Sequence, residues 1–106
     1  MTTPITEPGK AVCQRVTICN KRGLDARASA RFVRTADHFD AEVSVTRDGV
    51  TVGGTSIMGL MMLAAGPGST ILVQATGRQA REAVEALTEL VGCGFDEDSD
   101  AAGELP

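Results

Sequence analysis

One stretch of the sequence combines residue types that bind and transfer small anions. In KRGLDARASARFV, residues 21–33, Asp25 and Arg27 lie two residues apart at the start of a predicted helix. Because the first turn of a helix carries free N–H groups, the Asp25 carboxylate can accept a hydrogen bond there as an N-cap. The Arg27 guanidinium could instead complete an anion site at the positive end of the helix dipole. Position alone leaves both roles open.

A second candidate lies where Thr55 and Ser56 precede the apolar segment IMGLMML, residues 57–63. A hydroxyl at this place is a routine N-cap. Phosphorylation would also be tolerated there, because the added charge would lie near helix N–H groups. A short helix buries only one side, so core packing is expected for most of the segment and partner contact for the rest. The methionines expected to stay accessible are Met58, Met61 and Met62.

The remaining reactive residue types give weaker signals. His38 is the only histidine, and it lies near a helix C-terminus, where a cation complements the dipole. We interpret it as structural. The cysteines at 13, 19 and 93 form no CxxC pair and have no nearby histidine, which predicts reduced thiols rather than a zinc site. No phosphate-binding glycine motif and no HExxH motif is present, so no metal and no cofactor are predicted.

Composition limits the fold and the kind of partner. The 106 residues suit one domain, and aromatic residues make up only 3%, so the core must be aliphatic. The net charge is −4, yet six Lys or Arg residues accompany one Asp between residues 15 and 34, which predicts docking of a small anion or an acidic partner. An acidic total without Trp or Tyr argues against nucleic acid. The sequence shows neither a leader pattern nor an apolar run that could span a bilayer, which predicts a cytoplasmic protein without a membrane partner.

Hydrophobic periodicity predicts the element order β-α-β-β-α-β-α, which suits an α+β fold with helices packed on one face of an antiparallel sheet. The predicted strands cover residues 11–18, 41–46, 50–54 and 69–75, and the predicted helices cover residues 26–39, 57–65 and 78–91. The domain is predicted to span residues 11–95, between a flexible lead, residues 1–10, and an acidic flexible tail, residues 96–106. The acidic closing segment, which starts at Gly94, is expected to fray.

Two of these motifs resemble HPr, the phosphocarrier of the phosphoenolpyruvate-dependent phosphotransferase system. KRGLDARASARFV is similar to the active-site segment of that family, and SIMGLMML is similar to its second helix, which follows a regulatory serine. NKRG, FDAEV and GFDED resemble the nitrogen-related branch, NPr. The resemblance covers residues 12–98. It implies an HPr-like open-faced β-sandwich, βαββαβα, with sheet order 1-4-2-3 and three helices on one face.

The resemblance also implies a function. In the family, Enzyme I passes a phosphoryl group to a carrier histidine, and the carrier hands it to an EIIA-type protein. Arg27 matches the phosphate-binding arginine, Ser56 matches the serine that HPr kinase modifies in some lineages, and Ala28 replaces a common proline. The resemblance implies a monomer that binds these proteins, with stringent-response or other regulatory enzymes as further partners. The expected partner-binding residues are Arg22, Leu24, Arg31, Ile57, Met58, Leu60 and Met61.

Asp25 occupies the place of the phosphorylated histidine in that resemblance. An Asp Oδ lies three bonds from Cα, as does the imidazole Nδ1, so an acyl phosphate is geometrically conceivable. A carboxylate held by Arg27 and helix N–H groups is nevertheless a poor nucleophile, and enzymes that phosphorylate Asp generally use a divalent metal. We therefore expect phosphoryl transfer to be lost or impaired, with Asp25 supplying a fixed negative charge that imitates the phosphorylated state. Both a natural carrier-like regulator and a deliberate phosphomimetic substitution fit the sequence.

Two other functions compete with an altered carrier. The first is a non-transferring HPr-like regulatory protein, which would bind partner enzymes through Arg27, Ser56 and the Met-rich helix. The second is a small ligand-binding module of ferredoxin-like type, or an acylphosphatase-like enzyme, since βαββαβ is shared with those folds. Strand order separates them: 1-4-2-3 supports the carrier fold, and 4-1-3-2 supports the ferredoxin-like fold.

Overall fold

Alternating apolar residues give three of the four strands of this α+β fold a buried face, whereas the strand at residues 50–53 has no buried residue. The computed structural model describes residues 11–96. The elements are β1 (Val12–Thr17), α1 (Ala26–Asp37), β2 (Glu42–Arg47), β3 (Val50–Gly53), α2 (Ile57–Met62), β4 (Thr70–Thr76), α3 (Ala80–Gly92) and a 3-10 turn (Gly94–Asp96). In β4 the alternation is complete, with Ile71, Val73 and Ala75 buried and their neighbours more exposed.

The four strands form one antiparallel sheet in the order β1-β4-β2-β3. Ala75 of β4 lies opposite Val12 of β1 on one side and Val43 of β2 on the other, so apolar residues of three strands meet on the same face. The order predicted from the family resemblance is confirmed. The ferredoxin-like alternative is wrong, because it requires the order 4-1-3-2.

Three helices cover the apolar face of this sheet. α3 packs on β1 and β4, and α1 packs against both α2 and α3. Each helix contributes a buried stripe, represented by Phe32 in α1, Leu60 in α2 and Leu87 in α3, all with no exposed surface. The core is mainly aliphatic, as the low aromatic content predicts.

Helix boundaries differ from the sequence prediction by one to three residues. α1 ends at Asp37 with His38 as its C-cap, rather than at Phe39. α2 ends at Met62 instead of residue 65, because Ala64 adopts a left-handed backbone with φ of 52°, which no α-helix can contain. Local apolar periodicity does not predict a left-handed residue, so the end of α2 is seen only in the folded chain.

The prediction that the closing segment frays from Gly94 onward is wrong for residues 94–96. Gly94 takes a left-handed φ of 69° and turns the chain back after α3. Phe95 is then fully buried, and its carbonyl oxygen accepts a hydrogen bond from Arg31 Nη1 at 3.0 Å. Residues 94–96 are therefore packed against the rest of the described structure through Phe95, and the predicted domain bounds stay a prediction. The predicted lead, residues 1–10, and the rest of the predicted tail, residues 97–106, lie outside the described residues.

Candidate functional site

Asp25 is the N-cap of α1. Its backbone is extended, with φ of −80° and ψ of −171°, and its Oδ1 accepts a hydrogen bond from the Ala28 N–H at 2.9 Å. The residue is half-buried. The cap role predicted from sequence is confirmed, and it puts a negative charge at the positive end of a three-turn helix.

The loop before Asp25 is fixed against the end of α2. Gly23 has φ of 62°, and a β-carbon at this position would collide with the carbonyl oxygen of Ala65. The next residue, Leu24, donates its backbone N–H to the same oxygen at 2.9 Å. Inside the loop, Asn20 Nδ2 donates to the Gly23 carbonyl at 2.9 Å. Only glycine fits this approach, and the result is that Asp25 lies beside the C-terminal end of α2.

Ser56 is the N-cap of α2, as Asp25 is the N-cap of α1. Its Oγ accepts a hydrogen bond from the Gly59 N–H at 2.9 Å, and the residue is exposed. At the other end of α2, Arg47 Nη1 donates to the Leu63 carbonyl at 2.9 Å and satisfies one of the free carbonyl groups. This short helix is therefore held at both termini by side chains.

One side of α2 is an exposed apolar surface. Met62 and Met58 are the most exposed, at 77% and 71%, and Met61 and Ile57 are exposed by about two fifths. We call these four residues the methionine face. Met62 is missing from the residues expected to bind a partner, although its exposure is the largest, because periodicity in a six-residue helix does not fix which side faces out.

Two residues expected to bind a partner are buried instead. Leu60 has no exposed surface, and Leu24 is 5% exposed. Both belong to the hydrophobic core, where the packing of α1 on α2 encloses them. Their assignment to the partner surface is therefore corrected. Leu24 anchors the residue before Asp25 in the core, and Leu60 anchors the helix that carries the methionine face.

The loop before Asp25 and α1 itself carry several basic residues. Arg22 and Arg27 are exposed, and Arg31 is half-buried with its Nη1 on the Phe95 carbonyl. Further along α1, an open recess of about 310 Å³ is lined by Arg31, Arg34, Thr35, His38, Leu90 and Asp96. Neither Asp25 nor Ser56 lines that recess.

Two further observations concern metals and membranes. Within residues 11–96, no group of three or more His, Cys, Asp or Glu side chains is placed to hold a metal ion. Among the helices described, none is long and apolar enough to cross a membrane.

The sheet order β1-β4-β2-β3 and the three helices on one face define a small open-faced β-sandwich of the α+β class. Residues 12–92 match the family model described as the PTS HPr component phosphorylation site. The chain belongs to the HPr family of the phosphotransferase system.

Similar proteins cover nearly the whole described chain. The phosphocarrier protein HPr of Neisseria meningitidis is 49% identical over 84 residues, which is 79% of this chain and 94% of the relative. The phosphocarrier protein NPr of Shewanella violacea is 41% identical over 86 residues, covering 81% and 94%. The crystal structure of HPr from Bacillus anthracis is similar with a TM-score of 0.73 and 46% identity, covering 76% of this chain and 96% of that one. The resemblance noted in the sequence is thus confirmed at the level of family and fold.

Proposed function

We propose that this chain acts in the phosphotransferase system as an HPr-type carrier protein whose acceptor position is occupied by Asp25. It would dock with the partners of the family, Enzyme I and EIIA-type proteins, while its own phosphoryl transfer is lost or strongly impaired. The single observation that carries this proposal is the N-cap geometry of Asp25. One of its carboxylate oxygens is bonded to Ala28 N–H at 2.9 Å at the start of α1.

The chemistry of this cap supports impaired transfer. A hydrogen bond from a backbone N–H withdraws electron density from the carboxylate oxygen and stabilises its negative charge, so Asp25 loses nucleophilicity. The same bond fixes a charge where a carrier would hold its phosphoryl group. A carboxylate carries one negative charge, whereas a phosphoryl group carries about 1.5 to 2. We infer that Asp25 imitates the phosphorylated state only in part, with Arg27 as the neighbouring cation.

The test is phosphoryl acceptance from phosphoenolpyruvate and Enzyme I, comparing the unaltered chain with Asp25→His. Histidine restores the family pattern, so we expect the variant to gain a phosphate that is labile in acid and stable in alkali. The unaltered chain should accept phosphate slower by about 100-fold or more, because loss of a nucleophile commonly costs several orders of magnitude. An alkali-labile acyl phosphate that forms on Asp25 as fast as phosphohistidine forms in the variant would refute the proposal. Circular dichroism of both proteins controls for folding.

A non-transferring regulatory role is the second candidate, and the methionine face favours it. Its four apolar side chains lie exposed on a helix that is held at both ends, which gives a partner a defined and adaptable apolar surface. In this role the chain would bind regulatory enzymes, and Ser56 would be the position available to HPr kinase. The partner-binding set is then Arg22, Arg27, Arg31 and the methionine face.

Binding measurements separate the two roles. If the charge of Asp25 imitates a phosphoryl group, Asp25→Ala and Asp25→Asn should both weaken binding to an EIIA-type protein. Since asparagine also caps a helix, the second variant removes the charge and keeps the cap. Binding that survives both substitutions but is weakened by Met62→Ala would support a regulatory module that docks through its methionine face alone.

A further inference from the structure

Two thiols lie together at the point where the loop before Asp25 meets the end of α3. Cys19 follows β1 in that loop, and Cys93 is the C-cap of α3. Both cysteines are free and exposed. Neither takes part in the site described above, although Cys19 belongs to the loop that ends at Asp25.

The sulfur of Cys19 contacts the residues that precede Cys93 in the chain. Cys19 Sγ lies 3.4 Å from the Val91 carbonyl oxygen and 3.7 Å from that of Gly92. A carbonyl oxygen and the next Cα lie about 2.8 Å apart across a trans peptide, so Cys19 Sγ lies within roughly 6.5 Å of the Cys93 Cα. A β-carbon built on Gly94, just beyond Cys93, would lie 3.9 Å from the same sulfur. Cys19 Sγ therefore faces the backbone on both sides of Cys93.

A rotation of the Cys93 side chain would bring its sulfur toward Cys19. Cys93 Sγ now lies 3.3 Å from the Leu90 carbonyl and 3.4 Å from Asp96 Oδ1, contacts that a rotation about χ1 would release. Glycines flank the residue on both sides, and the space beside Gly92 is open. Disulfide-bonded cysteines have Cα atoms about 4.4 to 6.8 Å apart, so the bond requires the Cys93 sulfur to turn toward the Cys19 sulfur that already lies against its backbone.

We propose that Cys19 and Cys93 form a reversible intramolecular disulfide when the protein meets a small-molecule disulfide such as oxidised glutathione. The Cys19 thiolate attacks one sulfur of glutathione disulfide and displaces a glutathione thiolate. The Cys93 thiolate then attacks the Cys19 sulfur and displaces the second glutathione. The two protein thiols lose two protons and two electrons, and glutathione disulfide gains them to give two glutathione thiols.

The local environment sets the order of these steps. Although Cys93 is exposed, partial desolvation raises the pKa of its thiol, and the side-chain hydrogen bond and negative charge of Asp96 raise it further. A smaller thiolate fraction makes Cys93 the slower attacker on an external disulfide, so it acts second, as the resolving thiol. The product ties the loop before Asp25 to the end of α3. This inference holds whether or not Asp25 accepts a phosphoryl group.

The chain supplies its own control, because Cys13 is also free and exposed but lies on β1 opposite Gln74. The full chain and its Cys13→Ser, Cys19→Ser and Cys93→Ser variants are equilibrated in glutathione buffers of graded ratio. Remaining thiols are then trapped with a maleimide and mapped by mass spectrometry. We expect Cys13→Ser to lose two hydrogen masses and to give one linked peptide that contains residues 19 and 93.

The other variants define the outcomes. Cys19→Ser and Cys93→Ser should instead keep glutathione adducts, because each lacks the resolving partner. The effective concentration of one thiol toward the other should reach the millimolar range or above, as for tethered groups whose geometry allows contact. Stable glutathione adducts on both residues of Cys13→Ser, or disulfides only between two copies of the chain, would overturn the proposal. Circular dichroism verifies that each exposed substitution leaves the fold intact.

Discussion

At the residue scale, Asp25 caps α1, and its proposed function depends on the position and charge that this cap gives its carboxylate. Its Oδ1 satisfies the Ala28 N–H, so the side chain contributes to the stability of α1 as well as to the charge of the surface. Ser56 caps α2 in the same way, through a neutral hydroxyl. A side chain that fills both roles can be tested by substitutions that separate hydrogen bonding from charge.

Asp25→Ala should lower the free energy of unfolding by about 1 kcal/mol, because the Ala28 N–H loses its acceptor. Asp25→Asn should change it by no more than a few tenths of a kcal/mol, since asparagine is a comparable N-cap. Urea denaturation followed by circular dichroism measures both. Equal destabilisation by the two variants would show that charge, rather than the cap hydrogen bond, stabilises this end of α1.

At the element scale, α2 is six residues long and depends on tertiary contacts for its existence. An isolated helix of this length is unstable in water, so Leu60, the caps and the bond from Arg47 must hold it in place. The sequence predicted a helix here, and it also predicted that methionines stay accessible. It did not place Leu60 correctly, because the buried side of a short helix is decided by the neighbour it packs on.

Leu60→Ala should lower the free energy of unfolding by about 2 to 5 kcal/mol, because it leaves a cavity under α2. Met62→Ala, two residues away on the exposed side, should change it by no more than about 0.5 kcal/mol. Chemical denaturation with matched m-values checks both. A similar, large loss in Met62→Ala would mean that the methionine face is part of the core rather than a free surface.

At the scale of the whole molecule, the chain closes its core with a residue beyond the last helix. Phe95 lies in the 3-10 turn after α3, is fully buried and is joined to α1 through the Arg31 hydrogen bond. This contact connects the C-terminal part of the described chain to the helix that carries Asp25. The sheet order β1-β4-β2-β3 brings β1, and the loop that follows it, beside the same end of α3.

Phe95→Ala should therefore lower the free energy of unfolding by about 3 to 5 kcal/mol. A residue in a fraying tail would give almost no change on the same substitution. Thermal and urea unfolding measure the difference, with Phe95→Leu as the control that keeps most of the apolar volume. If Phe95→Ala unfolds with the stability of the unaltered chain, the closing turn contributes nothing to the core.

The sequence by itself determined the class of elements, their order and the caps of α1 and α2, because these depend on local periodicity and on side chains close to their backbone partners. With the family resemblance it also determined the strand order. Only the tertiary structure decided that Leu24 and Leu60 are buried and that Phe95 completes the core. It also brought Cys19 to the residues around Cys93. These outcomes depend on contacts between residues far apart in the chain, which no local pattern contains.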